Sequence, residues 1–354
     1  MENLILNFSA ESRLPILKNW LARIAGDHRL DLASLEPASS DASFRRYYRL
    51  NTATATAAGT GTAIVMDAPP QQEDCRPFIH VTGLLAQAGL NVPAVLAQDL
   101  QQGFLLLTDL GEQTYYQAIK SGLDDNRLQQ LYRDAIAALV RMQHAGTQGL
   151  PHYDAQRLSQ ELAVFPEWYA QRHCQVQLDE AEQSVLNTAF AALIHDNTSQ
   201  PGVLVHRDFH SPNLMVGLAA HNPGIIDYQD ALVGPLTYDI ASLVMDARTT
   251  WEEPQQLDWA IRYWEAARAA GLPVPADFAD FHRAYEWMGL QRNLRILGVF
   301  ARLAYRDDKP HYLDHIPRVN AYVRQVAGRY SVFRPLIRLL DKLDGRQVTT
   351  GYTF

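Results

Sequence analysis

The sequence predicts an α+β fold of two unequal lobes, a small antiparallel β-rich amino-terminal lobe and a larger helical carboxy-terminal lobe. Three observations carry that expectation. Between about residues 30 and 107, short apolar runs alternate with Ser-, Thr- and Gly-rich turns. From about residue 112 to the end the apolar spacing is helical almost throughout. The chain has 354 residues, too many for one compact core and about right for two. The expected division is 1–107 and 108–354.

The elements follow in order. Leu14, Leu17, Leu21 and Ile24 recur at helical spacing and predict an amphipathic helix over 11–25. Asp31 to Leu35, Phe44 to Leu50 and Ala63 to Met66 are short strand-like runs, and Thr52 to Thr62 reads as the connection of a hairpin. Gly59 and Gly61 lie in that connection before a strand, so they read as turn residues rather than a nucleotide-binding fingerprint. A helix over about 74–88 should stop at Gly89, and Val95 to Ala97 and Phe104 to Leu107 form a further strand pair. Leu128, Leu131, Tyr132, Ala135, Leu139 and Met142 then follow the i, i+3, i+4, i+7 template. One insert of strand character interrupts the helices: Val203 to Val205, Leu214 to Val216, and Ile225-Ile226. It holds most of the chemically interesting polar residues.

Composition narrows the function. A net charge of −8 lacks the basic field of a nucleic-acid binder. Two cysteines, Cys75 and Cys174, with no CxxC spacing argue against a disulfide framework or thiolate zinc site. The start of the chain shows no basic n-region with a long apolar stretch, and no run is apolar enough to span a bilayer. A cytoplasmic protein without membrane partners is expected, as a monomer or weak homo-oligomer.

The motif that carries chemistry is His206-Arg207-Asp208-Phe209-His210-Ser211-Pro212-Asn213, which follows the apolar run Val203-Leu204-Val205. It fits the kinase catalytic-loop pattern H-R-D-L-x-x-x-N, with Phe in place of Leu. Asp227 follows fourteen residues after Asn213, behind a second apolar pair. Phosphoryl transfer asks the protein mainly for positioning and charge neutralisation. One carboxylate must orient the acceptor hydroxyl and take its proton, and oxygen ligands must hold Mg²⁺ against the phosphates. Asp208 fits the first role; Asn213 and Asp227 fit the second. Turn chemistry would account for Asp208 and Asn213 but not for Asp227. His206 reads as a brace for the loop.

These residues, with Ile225-Ile226-Asp227 and Gly234-Pro235-Leu236-Thr237-Tyr238-Asp239-Ile240-Ala241, resemble the aminoglycoside phosphotransferase and choline kinase superfamily. The resemblance runs from about residue 30 to 330. It implies a bilobal protein-kinase-like fold, ATP and Mg²⁺ as cofactors, a ligand site between lobes, and a structural role for Asp239 at the catalytic loop. Finer features, among them Ala42-Ser43-Phe44-Arg45-Arg46-Tyr47-Tyr48-Arg49, Val65-Met66-Asp67-Ala68-Pro69-Pro70, Phe104-Leu105-Leu106-Leu107-Thr108-Asp109-Leu110-Gly111 and Ile226-Asp227-Tyr228-Gln229-Asp230-Ala231, resemble the bacterial amino-sugar kinases of that superfamily. Those enzymes phosphorylate the anomeric hydroxyl of N-acetylmuramate and N-acetylglucosamine in cell-wall recycling. That branch implies an amino-sugar acceptor and a sugar 1-phosphate product.

One departure stands out. Kinases carry a third-strand lysine that pairs the phosphates and a helix glutamate. The corresponding run here, Ala63-Ile64-Val65-Met66, has none, and the chain's only lysines are Lys18, Lys120, Lys309 and Lys342. Arg45 or Arg46, with Ser43 and backbone N–H groups of the same loop, is the expected substitute, since guanidinium is a good phosphate partner. Both arginines being solvated strand residues is the bland alternative. Adenine is expected against the backbone around Leu107, Asp109 and Leu110. On the acceptor side, Glu161, Phe165, Trp168, His210, Arg292 and Asn293 are candidates for sugar contacts, against a reading of core aromatics and a surface pair. Two other classes remain open. Alternating His206, Asp208 and His210, with Asp227 and Asp230, suit a metal-dependent hydrolase, and the missing lysine suits a nucleotide-binding protein without turnover. Within the kinase class, an aminoglycoside or choline acceptor is the runner-up.

Overall fold

The structure is a computed structural model that describes residues 10–40, 44–53, 61–217 and 221–345. Two compact units divide the chain: Met1–Gln113 with Met215–Asp230, and Thr114–Leu214 with Ala231–Phe354. Residues 215–230, which the sequence assigns to the second domain, group with the first. The expected α+β class holds: an antiparallel sheet in one unit and a mainly helical second unit. Among the described residues no helix is long and apolar enough to cross a membrane.

The first unit opens with α1 (Ala10–His28), followed by the strands β1 (Leu30–Ser40), β2 (Arg46–Thr52) and β3 (Thr62–Asp67). After α2 (Cys75–Gln87) come β4 (Val95–Asp99) and β5 (Phe104–Thr108). The five strands form one antiparallel sheet in the order β1-β2-β3-β5-β4. The helical period of α1 and the alternation of the strands meet in one core: Leu17, Trp20 and Leu21 pack on Leu50, Ala63, Val65, Phe104 and Leu106. Each large side chain so buried contributes about 1.5–3 kcal/mol. The helix is pinned at its start by Arg13, whose guanidinium donates to Asp67 Oδ1 at 2.6 and 2.8 Å and lies over the Phe104 ring. Asp74 caps α2 by accepting from Arg76 N, and Gly89, with φ +74°, turns the chain out of it, where the sequence places the stop.

In the second unit, α3 (Tyr115–Lys120), α4 (Asp125–Gln143), α5 (Ala155–Leu162) and α6 (Glu180–Ser199) precede β6 (Gly202–Val205). A π-helical stretch, Phe165–His173, lies between α5 and α6. Beyond the short strands β7 (Leu214–Met215) and β8 (Gly224–Ile225), β9 (Leu232–Pro235) pairs antiparallel with β6, Val205 facing Leu232. The chain ends in α7 (Tyr238–Val244), α8 (Glu253–Ala269), α9 (Phe278–Tyr305), α10 (Ile316–Arg329) and α11 (Arg334–Leu343). Strand β9 lies in the segment that the sequence yields only as a motif. It gives β6 a partner, so the apolar run before His206 is a paired, buried strand with a fixed end.

Candidate active site

His206 leaves β6 at that fixed end. Its backbone N–H donates to Asp239 Oδ2 at 2.6 Å, and the next N–H, of Arg207, donates to Asp239 Oδ1 at 3.0 Å. Asp239 sits in the first turn of α7, fully buried, so one carboxylate clamps the start of the loop. Burial raises that carboxyl to about 7 against the pull of the two backbone bonds. Arg207 is held at φ +77°, a conformation that costs a non-glycine residue on the order of 1–3 kcal/mol and persists only where the surroundings over-determine it. The His206 ring is buried, accepts from Asp208 N through Nδ1 at 3.3 Å, and meets Phe209 edge to face.

The far half of the loop has its own clamp. Ser211 donates through N–H (3.1 Å) and Oγ to Asp246 Oδ2, and His210 Nδ1 lies 3.6 Å from Asp246 Oδ1. Burial works against the Asp246 charge, but His210, Ser211 and the Arg248 N–H outweigh it and hold the carboxyl well below its usual range. Asn213 Nδ2 donates to Asp208 O at 2.9 Å, closing the loop across its mouth. Two buried aspartates thus fix the backbone on either side of Asp208.

Cations surround the Asp208 carboxylate. Burial would raise its pKa, yet His210, Arg295, Arg292 and Arg207 together bring it down to about 2. Asp208 is therefore ionised at every working pH. Arg207 Nη2 donates to Glu161 Oε1 at 2.6 Å; Glu161 also takes Arg295 at 3.2 Å and the Tyr153 hydroxyl. Glu161, expected on the acceptor, is thus a hub with three partners of its own. Phe165 is fully buried against Tyr169 and Phe190, so it is a core ring and offers no face to a sugar. Trp168 is partly exposed on the π-helical stretch. Arg292 and Asn293 are no surface pair: they are 2 % and 0 % exposed in the middle of α9.

In the first unit, Asp227 also adopts a left-handed backbone, φ +66°, and accepts from Gln229 Nε2 at 2.8 Å. The neighbouring Tyr228 anchors that segment, stacking on Phe78 at 5.1 Å and bonding the Thr82 hydroxyl at 2.8 Å. Arg45 forms an ion pair with Glu73 at 2.8 Å, just ahead of the α2 cap, with both side chains mostly buried. Arg46 has a buried Nη1 without a hydrogen-bond partner. Ser43 lies outside the described residues, as does Gly59. Asp109 accepts from Arg49 at 2.6 Å, Thr62 Oγ1 at 2.8 Å and Gly111 N at 2.9 Å, so its side chain is occupied within the fold. Leu107 is inside β5, paired to strands on both sides, and Leu110 packs against Gly224.

A family model described as a phosphotransferase enzyme family matches residues 34–287. The chain belongs to that family. It is 46% identical over 312 residues to the N-acetylmuramate/N-acetylglucosamine kinase of Pseudomonas aeruginosa, covering 88% of this chain and 89% of the relative. The kinases of the same name from Pseudomonas putida (43% over 341 residues, 94% of this chain and 97% of the relative) and Neisseria meningitidis (42% over 340 residues, 96% and 98%) are similarly close. Among solved structures, a Plasmodium vivax ethanolamine kinase aligns with a TM-score of 0.62 at 10% identity, over 90% of this chain and 91% of that one. The choline kinase LicA from Streptococcus pneumoniae aligns at 0.58 and 13% identity, over 88% and 99%. At these identities they speak for the fold, the one the motifs imply.

As a phosphotransferase, the chain has donors of the right chemistry for Mg²⁺: Asn213 brings an amide oxygen and Asp227 a carboxylate, both hard oxygen ligands. Asn213 has its amide nitrogen turned to Asp208 O, which sets the amide's orientation. Among the described residues no three His, Cys, Asp or Glu side chains gather to hold a metal. The alternating His206, Asp208 and His210 therefore do not form the hydrolase cluster, because the two histidines turn to Asp208 N and Asp246 respectively. Sequence reasoning missed Asp246 and Arg295. Asp246 follows the apolar run Leu243-Val244-Met245, and an acidic residue ending such a run was the available signal. Arg295, one helical turn from Arg292, had only its spacing.

Proposed function

We propose that this phosphotransferase moves the γ-phosphoryl group of ATP to the anomeric C1 hydroxyl of N-acetylmuramate and N-acetylglucosamine, in the cytoplasm, as a step of cell-wall recycling. The observation that carries the kinase half is Asp208, kept ionised at the centre of a loop clamped from both sides. The acceptor is carried over from the names of relatives that match almost the whole chain.

In this reading Asp208 accepts a hydrogen bond from the C1 hydroxyl and takes its proton as the sugar oxygen bonds to the γ-phosphorus. The bond from that phosphorus to the oxygen it shares with ADP breaks. A carboxyl as acidic as Asp208 is a weak base, so the proton moves late, when the sugar oxygen has already lost electron density to phosphorus. Asn213 and Asp227 would hold Mg²⁺, whose chemistry there would be to neutralise phosphate charge. Arg45 serves the phosphates in place of the absent lysine. Its pairing with Glu73, beside the start of α2, supports choosing it over Arg46, because kinase lysines make the same kind of pair. The adenine contacts are backbone groups at Asp109 and Leu110.

The test is a panel of N-acetylmuramate, N-acetylglucosamine, choline and kanamycin with Mg-ATP, with the phosphate position read by NMR. The expected product is a sugar 1-phosphate. Phosphate on a C6 hydroxyl, or turnover of only choline or kanamycin, would overturn the acceptor assignment.

A further inference from the structure

Arg292 is a buried guanidinium that makes no ion pair among the described residues and feels the Asp208 charge only from beyond ion-pair distance. It is 2 % exposed, and neither Nε nor Nη1 has a hydrogen-bond partner. Buried polar groups are almost always satisfied, so an orphaned guanidinium calls for a ligand. Its neighbours on the same helix point elsewhere: successive residues turn by about 100°, so Gln291 and Asn293 lie on other sides of α9. Arg295 is on the same side, one turn on, but its charge is met by Glu161. Arg207 shares that same Glu161 and has a buried Nε without a partner, but its Nη2 is committed to the carboxylate, and His210 faces Asp246. Among the described residues no carboxylate lies within ion-pair distance of Arg292, although its field reaches Asp208 and Asp239.

The two sugars of the proposed function differ in a way that makes this surplus charge useful. N-acetylmuramate is N-acetylglucosamine with a lactyl ether on O3, ending in a carboxylate. Placing C1 of that sugar at Asp208 brings its carboxylate near an ionised carboxylate. Two like charges in a site of reduced dielectric repel strongly unless a cation stands by. A site that takes both the neutral and the anionic sugar needs one cation that is not already committed. We propose that Arg292 is the receptor for the lactyl carboxylate of N-acetylmuramate, and so sets the ratio in which the two sugars are used. This rests on the acceptor reading above.

The test crosses a charge change on the protein with one on the ligand. kcat and KM are measured for N-acetylmuramate, its neutral methyl ester and N-acetylglucosamine, on the wild-type protein and on Arg292→Gln and Arg292→Lys. Both sugars lose rate in R292Q through the disturbed field at Asp208. N-acetylmuramate loses at least tenfold more, mainly in KM, and the wild-type preference for acid over ester disappears. R292K recovers part of that preference. Equal losses for both sugars would assign Arg292 to the phosphate or to Asp208 and overturn the inference. So would a wild-type protein that treats acid and ester alike, a comparison that needs no variant to fold. Turnover of N-acetylglucosamine with none of N-acetylmuramate would sink this inference alone. No turnover of either would sink the acceptor reading and the inference with it.

Discussion

Replacing Asp208 by Asn tests the kinase reading and the electrostatics of the loop together. The substitution keeps shape and removes the negative charge and the proton acceptor. Positioned proton transfer contributes about 10²–10⁴-fold, so kcat should fall by that factor while KM for ATP stays within about threefold. The structure also gives a stability effect. Asp208 moves from 3.8 to about 2 on folding; at about 1.4 kcal/mol per pKa unit that corresponds to about 2 kcal/mol, cut to about 1 kcal/mol for its partial exposure. The folded pKa is the lower one, so this contribution is present above the unfolded value and is lost as pH falls from about 4 to about 2. D208N should therefore be less stable than the wild type by about 1 kcal/mol, evenly from pH 5 to 8, in urea unfolding. A variant that keeps more than a tenth of kcat would refute the base assignment. A variant more stable than the wild type would refute the claim that the four cations outweigh burial.

Three further outcomes follow from the same geometry. Arg45→Ala should raise the apparent KM for ATP about tenfold, the size of one lost charge-assisted contact, while Arg46→Ala stays within about twofold in the same titration. Asp239→Asn keeps one acceptor for two buried N–H donors, costing about 1–3 kcal/mol at pH 6, and loosens Arg207, so kcat should drop tenfold or more. Because burial raises Asp239 to about 7 from its ordinary 3.8, its protonated form favours the fold at low pH and that advantage is lost as pH rises from about 4 to about 7; thermal melts from pH 4 to 8 should show a shallower decline over that window in the variant. Phe165→Ala should cost about 3–5 kcal/mol in unfolding with no selective change in sugar KM, whereas a selective KM change would return the ring to the acceptor site.

Most of the fold was legible because its elements are amphipathic. The helix ending at Gly89, the first three strands and the α4 stripe were all written in periodicity and turn residues. Strand β9 was not, since Leu232-Val233-Gly234-Pro235 is four residues long and ends in residues that usually break strands. Its identity as a strand depends on lying beside β6, which no local pattern records. The return of residues 215–230 to the first unit was invisible for the same reason: Tyr228 is placed by Phe78 and Thr82, some 150 residues earlier in the chain.

At the site, the sequence exposed the residues proposed to meet the reactants and concealed those that hold them. Asp208 and Asn213 share one short motif because loop chemistry is local. Glu161, Asp246 and Arg295 reach that loop from α5, the end of α7 and α9, and only packing brings them there. That difference changes the argument about the acceptor. In sequence, Glu161 and Arg292 look like evidence of opposite sign, one for a cationic acceptor and one for an anionic one. In the folded chain Glu161 is neutralised by two arginines, whereas Arg292 keeps its charge. A choline or aminoglycoside brought to Asp208 would meet three arginines, Arg207, Arg292 and Arg295, against the two carboxylates of Asp208 and Glu161. A neutral or anionic sugar meets the same groups without that repulsion, so the electrostatics of the second unit run in the direction of the acceptor proposed above.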